Sequence, residues 1–301
     1  SLLLAFSCLL SLFSFGVVSP VEVQAAEDIP DILLYEDYSS SKSFRISTAP
    51  GLKKFSELGQ TRNFSGITFY LVADLDMSGV AYSPVPSFSG TFDGGYHVIE
   101  RISVSATNAQ CGLFGTVNAT GIIRKLGVEG GTFTVTTNSP DYRVGTFAGV
   151  LRGLIEECWS SAVLSATATG TSKDLSVGGI AGGLISGGTV RNSYFAGRAT
   201  GLDHASGIAD WCQGQYEGYV GQIINCFNIG TLSATTCYGL GRYSNSILEA
   251  NKANAVKNSY YFDNYTDLSW TSEDKKVSKS WLGSGYLAYL LDKNSPLGGS
   301  P

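Results

Sequence analysis

A phrase led by glycine recurs along this chain at a nearly fixed interval, and that interval restricts the fold more than any other feature. It reads Gly112-Leu113-Phe114-Gly115, then Gly145-Thr146-Phe147-Ala148-Gly149, then Gly178-Gly179-Ile180-Ala181-Gly182. Weaker copies open at Gly207 and Gly239, so the leading glycines lie 33, 33, 29 and 32 residues apart. A second phrase keeps the same period out of phase. Its lead residues are Ile123, Ile155, Val190, Ile223 and Val256, spaced 32, 35, 33 and 33. Two phase-locked phrases imply stacked units, each burying its apolar side only against its neighbours.

The residues between the phrases say what kind of unit it is. Short runs of Val, Ile, Thr and Phe alternate with Gly, Asn and Ser, and no stretch between residues 66 and 262 keeps a long 3.6-residue period. A unit of about 33 residues has room for three short strands and their turns. The expectation is an all-β chain: a parallel β-helix with coils stacked roughly 4.8 Å apart. Glycines at matching points would supply positive φ at corners or allow close backbone approach. Of the 301 residues, 43% are apolar and only 15% charged, which excludes a disordered chain. A net charge of −5 speaks against a nucleic-acid partner, which would need a basic patch. Lys275, Lys276 and Lys279 read as a solvated segment.

The ends differ from the middle. Leu2 to Val18 is almost wholly apolar and is followed by Val23-Gln24-Ala25-Ala26, so residues 1–26 read as a secretory signal whose start is truncated. A membrane anchor is the rival, but a run of about 17 residues is at the short limit for a span. Residues 27–43 are acidic and Ser-rich and read as a mobile linker. Residues 44–64 hold a short strand, Phe44-Arg45-Ile46, and a helical piece with Leu52, Phe55 and Leu58 in step, opened by Pro50 and closed by Gly59. It is expected to cap one open end of the stack. Residues 266–301 read as a C-terminal cap or a link to a further module, with a helix candidate around Trp281-Leu282 and Tyr286–Leu291.

One stretch carries a resemblance. Phe88-Ser89-Gly90-Thr91-Phe92-Asp93-Gly94-Gly95-Tyr96-His97-Val98-Ile99 precedes the first glycine phrase. Later come Val190-Arg191-Asn192-Ser193-Tyr194-Phe195-Ala196-Gly197, Ile223-Ile224-Asn225-Cys226-Phe227-Asn228-Ile229-Gly230 and Val256-Lys257-Asn258-Ser259-Tyr260-Tyr261. Across about residues 44–265 the chain resembles bacterial GLUG-motif proteins, departing from their pattern at Gly95-Tyr96. The resemblance implies a right-handed parallel β-helix on a secreted or surface-bound bacterial protein. It also implies a turn role for Asp93 and His97.

In stacked coils, equivalent residues form columns. Glu157, Asn192, Asn225 and Asn258 make one, and stacked asparagines would hydrogen-bond one another and the turn backbone. Trp159, Tyr194, Phe227 and Tyr260 make another. A straight strand from Ile155 points these aromatics inward. A bend at the Asn position flips the parity, turns Cys158, Ser193, Cys226 and Ser259 in, and leaves an aromatic stripe outside. The bend is the preferred expectation, because small residues suit a narrow core beside a turn. Gly112, Gly145 and Gly178 are the expected turn glycines of the same scaffold.

Catalytic patterns are thin. The acids Asp93, Glu156, Glu157, Asp203, Asp210, Glu217 and Asp263 are scattered, and His97 and His204 are the two histidines. Asp74 and Asp76 share a strand face, which suits calcium less well than a solvated strand end. Cys111, Cys158, Cys212, Cys226 and Cys237 contain no C-x-x-C pair, so no zinc signature is present. Cys212 with Cys226 or Cys237 remains open as a pair. The expectation is therefore a non-catalytic, secreted or cell-surface β-helix without metal or cofactor. Its partner would be a host glycan or surface protein, with the oligomeric state open. The rivals are a polysaccharide lyase or hydrolase on the same scaffold, and a plain spacer.

Overall fold

The computed structural model describes residues 29–37, 39–139, 141–169, 175–243, 247–262, 265, 274–284 and 286–293. The expected signal segment lies outside them. The chain winds into a parallel β-helix. Each coil visits four long sheets in turn, and all strand pairings within those sheets are parallel. The first sheet has eight strands from Ser43–Ile46 to Val256–Lys257, and the second has eight from Leu75–Asp76 to Asp274–Lys276. The third has five, from Ser103–Thr107 to Thr231–Ser233, and the fourth six, from Val85–Phe88 to Gly241–Tyr243. The strand at Asp274–Lys276 carries the second sheet past residue 265, where the repeat pattern in the sequence stops.

The core is built from continuous inward columns. In the first sheet Phe44, Phe69, Phe92, Ile123, Ile155, Val190, Ile223 and Val256 stand in register, and none is more than 1% exposed. The last five of these are the lead residues of the second sequence phrase. A β-branched or aromatic side chain at each rung fills the half-buried pleat and excludes water along the whole axis.

The glycine phrase is explained by close approach. Gly112, Gly145 and Gly178 do not have positive φ. A Cβ on Gly145 would lie 2.5 Å from Ala181 Cα of the next coil, and one on Gly178 would lie 2.8 Å from Ala209 Cα. The next coil's backbone occupies the space of a side chain. Register also moves the weaker copies by one residue. Gly178 bridges to Ser206, so Gly207 and then Gly239 share a column with Gly179. That column is matched in size across the core. Gly179 lies under the Phe195 ring, Gly207 under Asn228 and Gly239 under the Tyr261 ring, each with a virtual Cβ 2.3 Å away. In the coil where the inward residue is the small Ser160, the position is Thr146, and the two hydroxyls meet at 2.8 Å.

Both ends are closed. Residues 29–37, expected to be a mobile linker, pack on the N-terminal end. Asp31 caps a 3-10 turn at Ile32–Leu34, and Ile32 and Tyr35 are buried. The reason is that only Asp31, Glu36 and Asp37 in this stretch are acidic, and the apolar Ile32 and Tyr35 have an open core end to cover. Helix α1, Ala49–Gly59, is capped by Thr48 and carries Pro50 in its first turn, as expected. It drives Phe55 into a nest of Phe64, Phe69, Phe88, Phe92 and Phe114, with ring centroids 4.7–6.2 Å away. Beside it, Pro84 and Pro86 blunt the edge of the fourth sheet, because proline has no N–H to offer another strand. At the other end helix α2, Glu249–Ala255, lies over the last coil, and Asn251 Nδ2 donates to the carbonyls of Gly214 and Tyr216. The Tyr265 hydroxyl accepts from Leu232 N–H and donates to Gly230 O, each at 3.2 Å, closing the third sheet's last strand.

The Phe55 plug is expected to dominate stability at its end. Phe55→Ala should cost about 3–5 kcal/mol in urea unfolding. Lys53→Ala, which removes only an exposed pair with Glu57, should cost no more than about 0.5 kcal/mol.

Candidate functional site: an outward aromatic column

The corner between the first and second sheets decides the direction of the aromatic column. Lys125, Glu157, Asn192, Asn225 and Asn258 occupy it with φ of 53°, 53°, 50°, 53° and 45°. A left-handed residue between two strands breaks the alternation of side chains. Asparagine tolerates that region better than most residues. Its amide also links the coils. Asn225 Nδ2 donates to Asn192 Oδ1 at 3.0 Å, and Asn258 Nδ2 to Asn225 Oδ1 at 2.8 Å.

Beyond the corner Cys158, Ser193, Cys226 and Ser259 point in, each at most 1% exposed. They alternate for a reason. The Ser193 hydroxyl accepts the Cys158 amide and donates to Arg191 O, and Ser259 does the same for Cys226 and Lys257 O. The preferred bend is therefore present, and the aromatics face out. Trp159, Tyr194, Phe227 and Tyr260 stand in register on the second sheet. Trp159 stacks on Tyr194 at 5.9 Å and 6°, and Tyr194 on Phe227 at 4.7 Å and 8°. Such pairs contribute roughly 0.5–1.5 kcal/mol each beyond burial.

The column is not open along its length. Helices α3, Lys279–Gly283, and α4, Tyr286–Lys293, lie on it rather than over the end of the stack. Leu287 and Leu291, with Trp281, Leu282 and Leu290 beside them, form one apolar cluster with Phe227, Tyr260 and Phe262. Asn258 Nδ2 reaches Leu291 O at 2.9 Å and fastens α4 to the corner. Phe227 and Tyr260 are 1% exposed and Tyr194 is 8% exposed, so the two lower members cannot meet a ligand while the helices stay in place. This corrects the expectation of a stripe usable over four residues. The apolar faces of these short helices pack on that stripe. Trp159, half-buried, ends the column. The next coil has Gly127 in register, and the indole lies across it, where a Cβ would be 2.6 Å from the ring. Burial, and then the charge of Glu129, push the Tyr194 hydroxyl above its ordinary pKa.

The other candidate residues are engaged in the scaffold. Outward on the first sheet Asp93, Arg124, Glu156 and Arg191 form a column of alternating charge. Arg124 Nε meets Asp93 at 2.8 Å and Arg191 meets Glu156 at 2.6 Å. Asp93 also accepts the Gly95 amide, a turn role. Asp74 accepts from Val98 N–H at 2.9 Å and lies 3.1 Å from His97 Nδ1. Asp76 is held by Arg101, whose guanidinium and the Ser78 groups keep its carboxyl well below the usual range. Among the described residues, no group of three His, Cys, Asp or Glu side chains could hold a metal ion. The five described cysteines are free. Burial pushes Cys111 and Cys226 up to about 12 and also raises Cys158 and Cys212, so these thiols stay protonated at neutral pH.

Sequence reasoning missed one buried pair. Asp210, wholly buried, meets Arg242 at 3.0 Å and accepts from the Ser206 hydroxyl at 2.8 Å. Arg242 and Arg143 both lie against Trp211, at 5.3 and 5.9 Å from the ring centre. Asp210 and Arg242 are 32 residues apart, one period, which is the signal that finds them.

The class of protein is thus a capped β-solenoid carrying a partly covered aromatic column. No family model and no curated protein matches the sequence. The fold is similar to that of a crystal structure of a proposed immunoglobulin A1 protease from Bacteroides ovatus. The TM-score is 0.58 at 18% identity, over 84% of this chain and 88% of that one. At that identity the likeness shows a shared fold alone. Among the described residues, no helix is long and apolar enough to cross a membrane.

Two outcomes are expected. Ending the chain after Val277 should uncover Phe227, Tyr260 and Phe262, and a rise in binding of a hydrophobic dye would report it. Arg242→Met should destabilise the fold by about 3–5 kcal/mol at neutral pH, because it leaves a buried carboxylate unpaired. Desolvation raises the Asp210 pKa in the folded state. Arg242 opposes that shift, so removing its charge leaves desolvation to favour the neutral acid in the variant. The variant's stability should be best below the ordinary aspartate pKa and should be lost as pH rises through the raised one. Thermal melts from pH 4 to pH 8 check the sign.

Proposed function

We propose that this chain is a secreted or cell-surface β-helix domain of the GLUG type that binds a ligand and does not catalyse. The ligand is a glycan or a partner's surface, met at the open end of the aromatic column. The observation that carries this reading is the outward Trp159. It is half-buried, stacked from below by Tyr194 and set across Gly127, and the exposed Glu129 follows two residues on in the same strand. An indole held flat by a stack loses little freedom when a sugar ring or an apolar side chain packs on it. Neighbouring carboxylate and hydroxyl groups would orient that ligand. The acids Asp93, Glu156 and Asp210 are each engaged by an arginine.

The test is a glycan array with the wild-type chain and Trp159→Ala. Wild-type binding that falls at least tenfold in the variant, with an unchanged circular dichroism spectrum and a melting temperature lowered only modestly by loss of the stack on Tyr194, is the expected result. A folded wild type that binds nothing would sink the glycan form of the proposal. Incubation with immunoglobulin A1, suggested by the name of the similar solved structure, tests the other half: cleavage would overturn the non-catalytic reading.

A further inference from the structure

A second site lies at the opposite end of the solenoid and owes nothing to the aromatic column. The chain leaving α1 passes through residues 60–65 before entering the first sheet, and it does so beside the edge strand Val85–Phe88. Between them is a cleft of about 640 Å³, within the range of small-ligand sites. Its lining residues include the polar Gln60, Arg62, Asn63, Ser65 and Ser87 and the apolar Ile67 and Pro86. None of its lining residues is acidic.

Arg62 is the one charged residue among those that line the cleft. The chain is acidic overall, and five of its nine arginines, Arg45, Arg101, Arg124, Arg191 and Arg242, each face a carboxylate. Arg62 is not one of those five. Among the described residues its guanidinium lies over the Tyr35 ring, 5.2 Å from the centroid, with no carboxylate beside it. A ring face holds the guanidinium in place and leaves its N–H groups free to donate. The neighbouring amides are already oriented. Gln60 Nε2 donates to the carbonyls of Ser56 and Pro84, which leaves its Oε1 as an acceptor. Asn63 spends Oδ1 on the Ser65 amide, which leaves its Nδ2 hydrogens to donate. The Ser87 hydroxyl is fixed by Asn118 Nδ2 at 2.9 Å.

The loop is rigid for its size. Phe64 sits at φ 56°, unusual for a bulky residue, and is held there by burial against Phe55 and Phe69 at 5.2 and 4.8 Å. Arg62 and Asn63 are therefore presented from an anchored turn, which lowers the ordering cost of binding.

From these groups we infer that the cleft binds a carboxylate-bearing sugar, a uronic or sialic acid. One guanidinium among hydroxyl and amide groups matches one carboxylate among hydroxyls. A run of acidic residues in a peptide would bring several charges to a single cation and press the rest against Ile67 and Pro86, so the sugar is the better fit.

Calorimetry on the full chain tests this with trigalacturonate and sialyllactose, using lactose as the neutral control. At least one acidic sugar should bind saturably, and lactose at least tenfold more weakly. Arg62→Gln should lose at least tenfold, with an unchanged circular dichroism spectrum. Arg62→Lys should fall between the two, because it keeps the charge and loses the planar fork. Trp159→Ala should bind as the wild type does, which separates this site from the column. The idea fails if neither acidic sugar binds the folded wild type, or if Arg62→Gln binds as the wild type does. It also fails if a tetraglutamate peptide binds as tightly as the sugars, or if binding is lost with Trp159 instead.

Discussion

The left-handed residue at the corner between the first and second sheets governs everything built beyond it. In an extended chain, alternation would carry the sequence Ile155, Glu157, Trp159 on one side and Glu156, Cys158 on the other. A single residue at φ near 50° shifts that count by one. Ile155 and Cys158 then both face the core, and Trp159 faces out. The same shift recurs at Asn192, Asn225 and Asn258, so one backbone conformation, repeated, creates an outward aromatic column from residues that look like core. The Asn-to-Asn bonds keep successive corners in line, and the Ser–Cys pairs just inside them satisfy the buried amides.

Two consequences compete for that column. Exposed aromatic area of this size would be costly to leave in water, and α3 and α4 cover it at one end. They are too short to be stable helices on their own, so their fold depends on the column they cover. What remains open is the last ring, where Gly127 provides no side chain and Trp159 spreads over the gap. Covering and exposure are thus set by one substitution of glycine for a larger residue in a stacked position. At the other end α1 provides a plug instead, and the loop leaving that plug forms the Arg62 cleft.

Much of this was legible in the sequence. The period, the parallel coils, the helix at Pro50–Gly59 and the apolar column led by Ile155 and Ile223 follow from spacing and residue type, because every coil must bury the same face against its neighbour. The glycine phrase was legible as a repeat. Its cause was harder to see, since a left-handed turn and a close contact demand the same residue; the structure shows close contact at Gly145 and Gly178. The one-residue offset of Gly207 and Gly239 was hidden because coil lengths vary between 28 and 33 residues along that column, and register is set by backbone pairing rather than by letter matching. Ile32 and Tyr35 were hidden because the acids and serines of residues 27–43 outweighed the apolar stretch 32–35 that the open core end required.

The sequence alone determined that this chain is a stack of β-coils with capped ends, because a fixed period of alternating apolar residues has few other ways to exclude water. It also narrowed the direction of the aromatic column to two choices. Only the tertiary structure chose between them and decided which rings stay open. It also decided that Arg62 stands in a cleft without a carboxylate partner while Arg242 is buried against one. Those outcomes depend on neighbours more than 20 residues away, and a side chain's exposure and charge are properties of what packs around it.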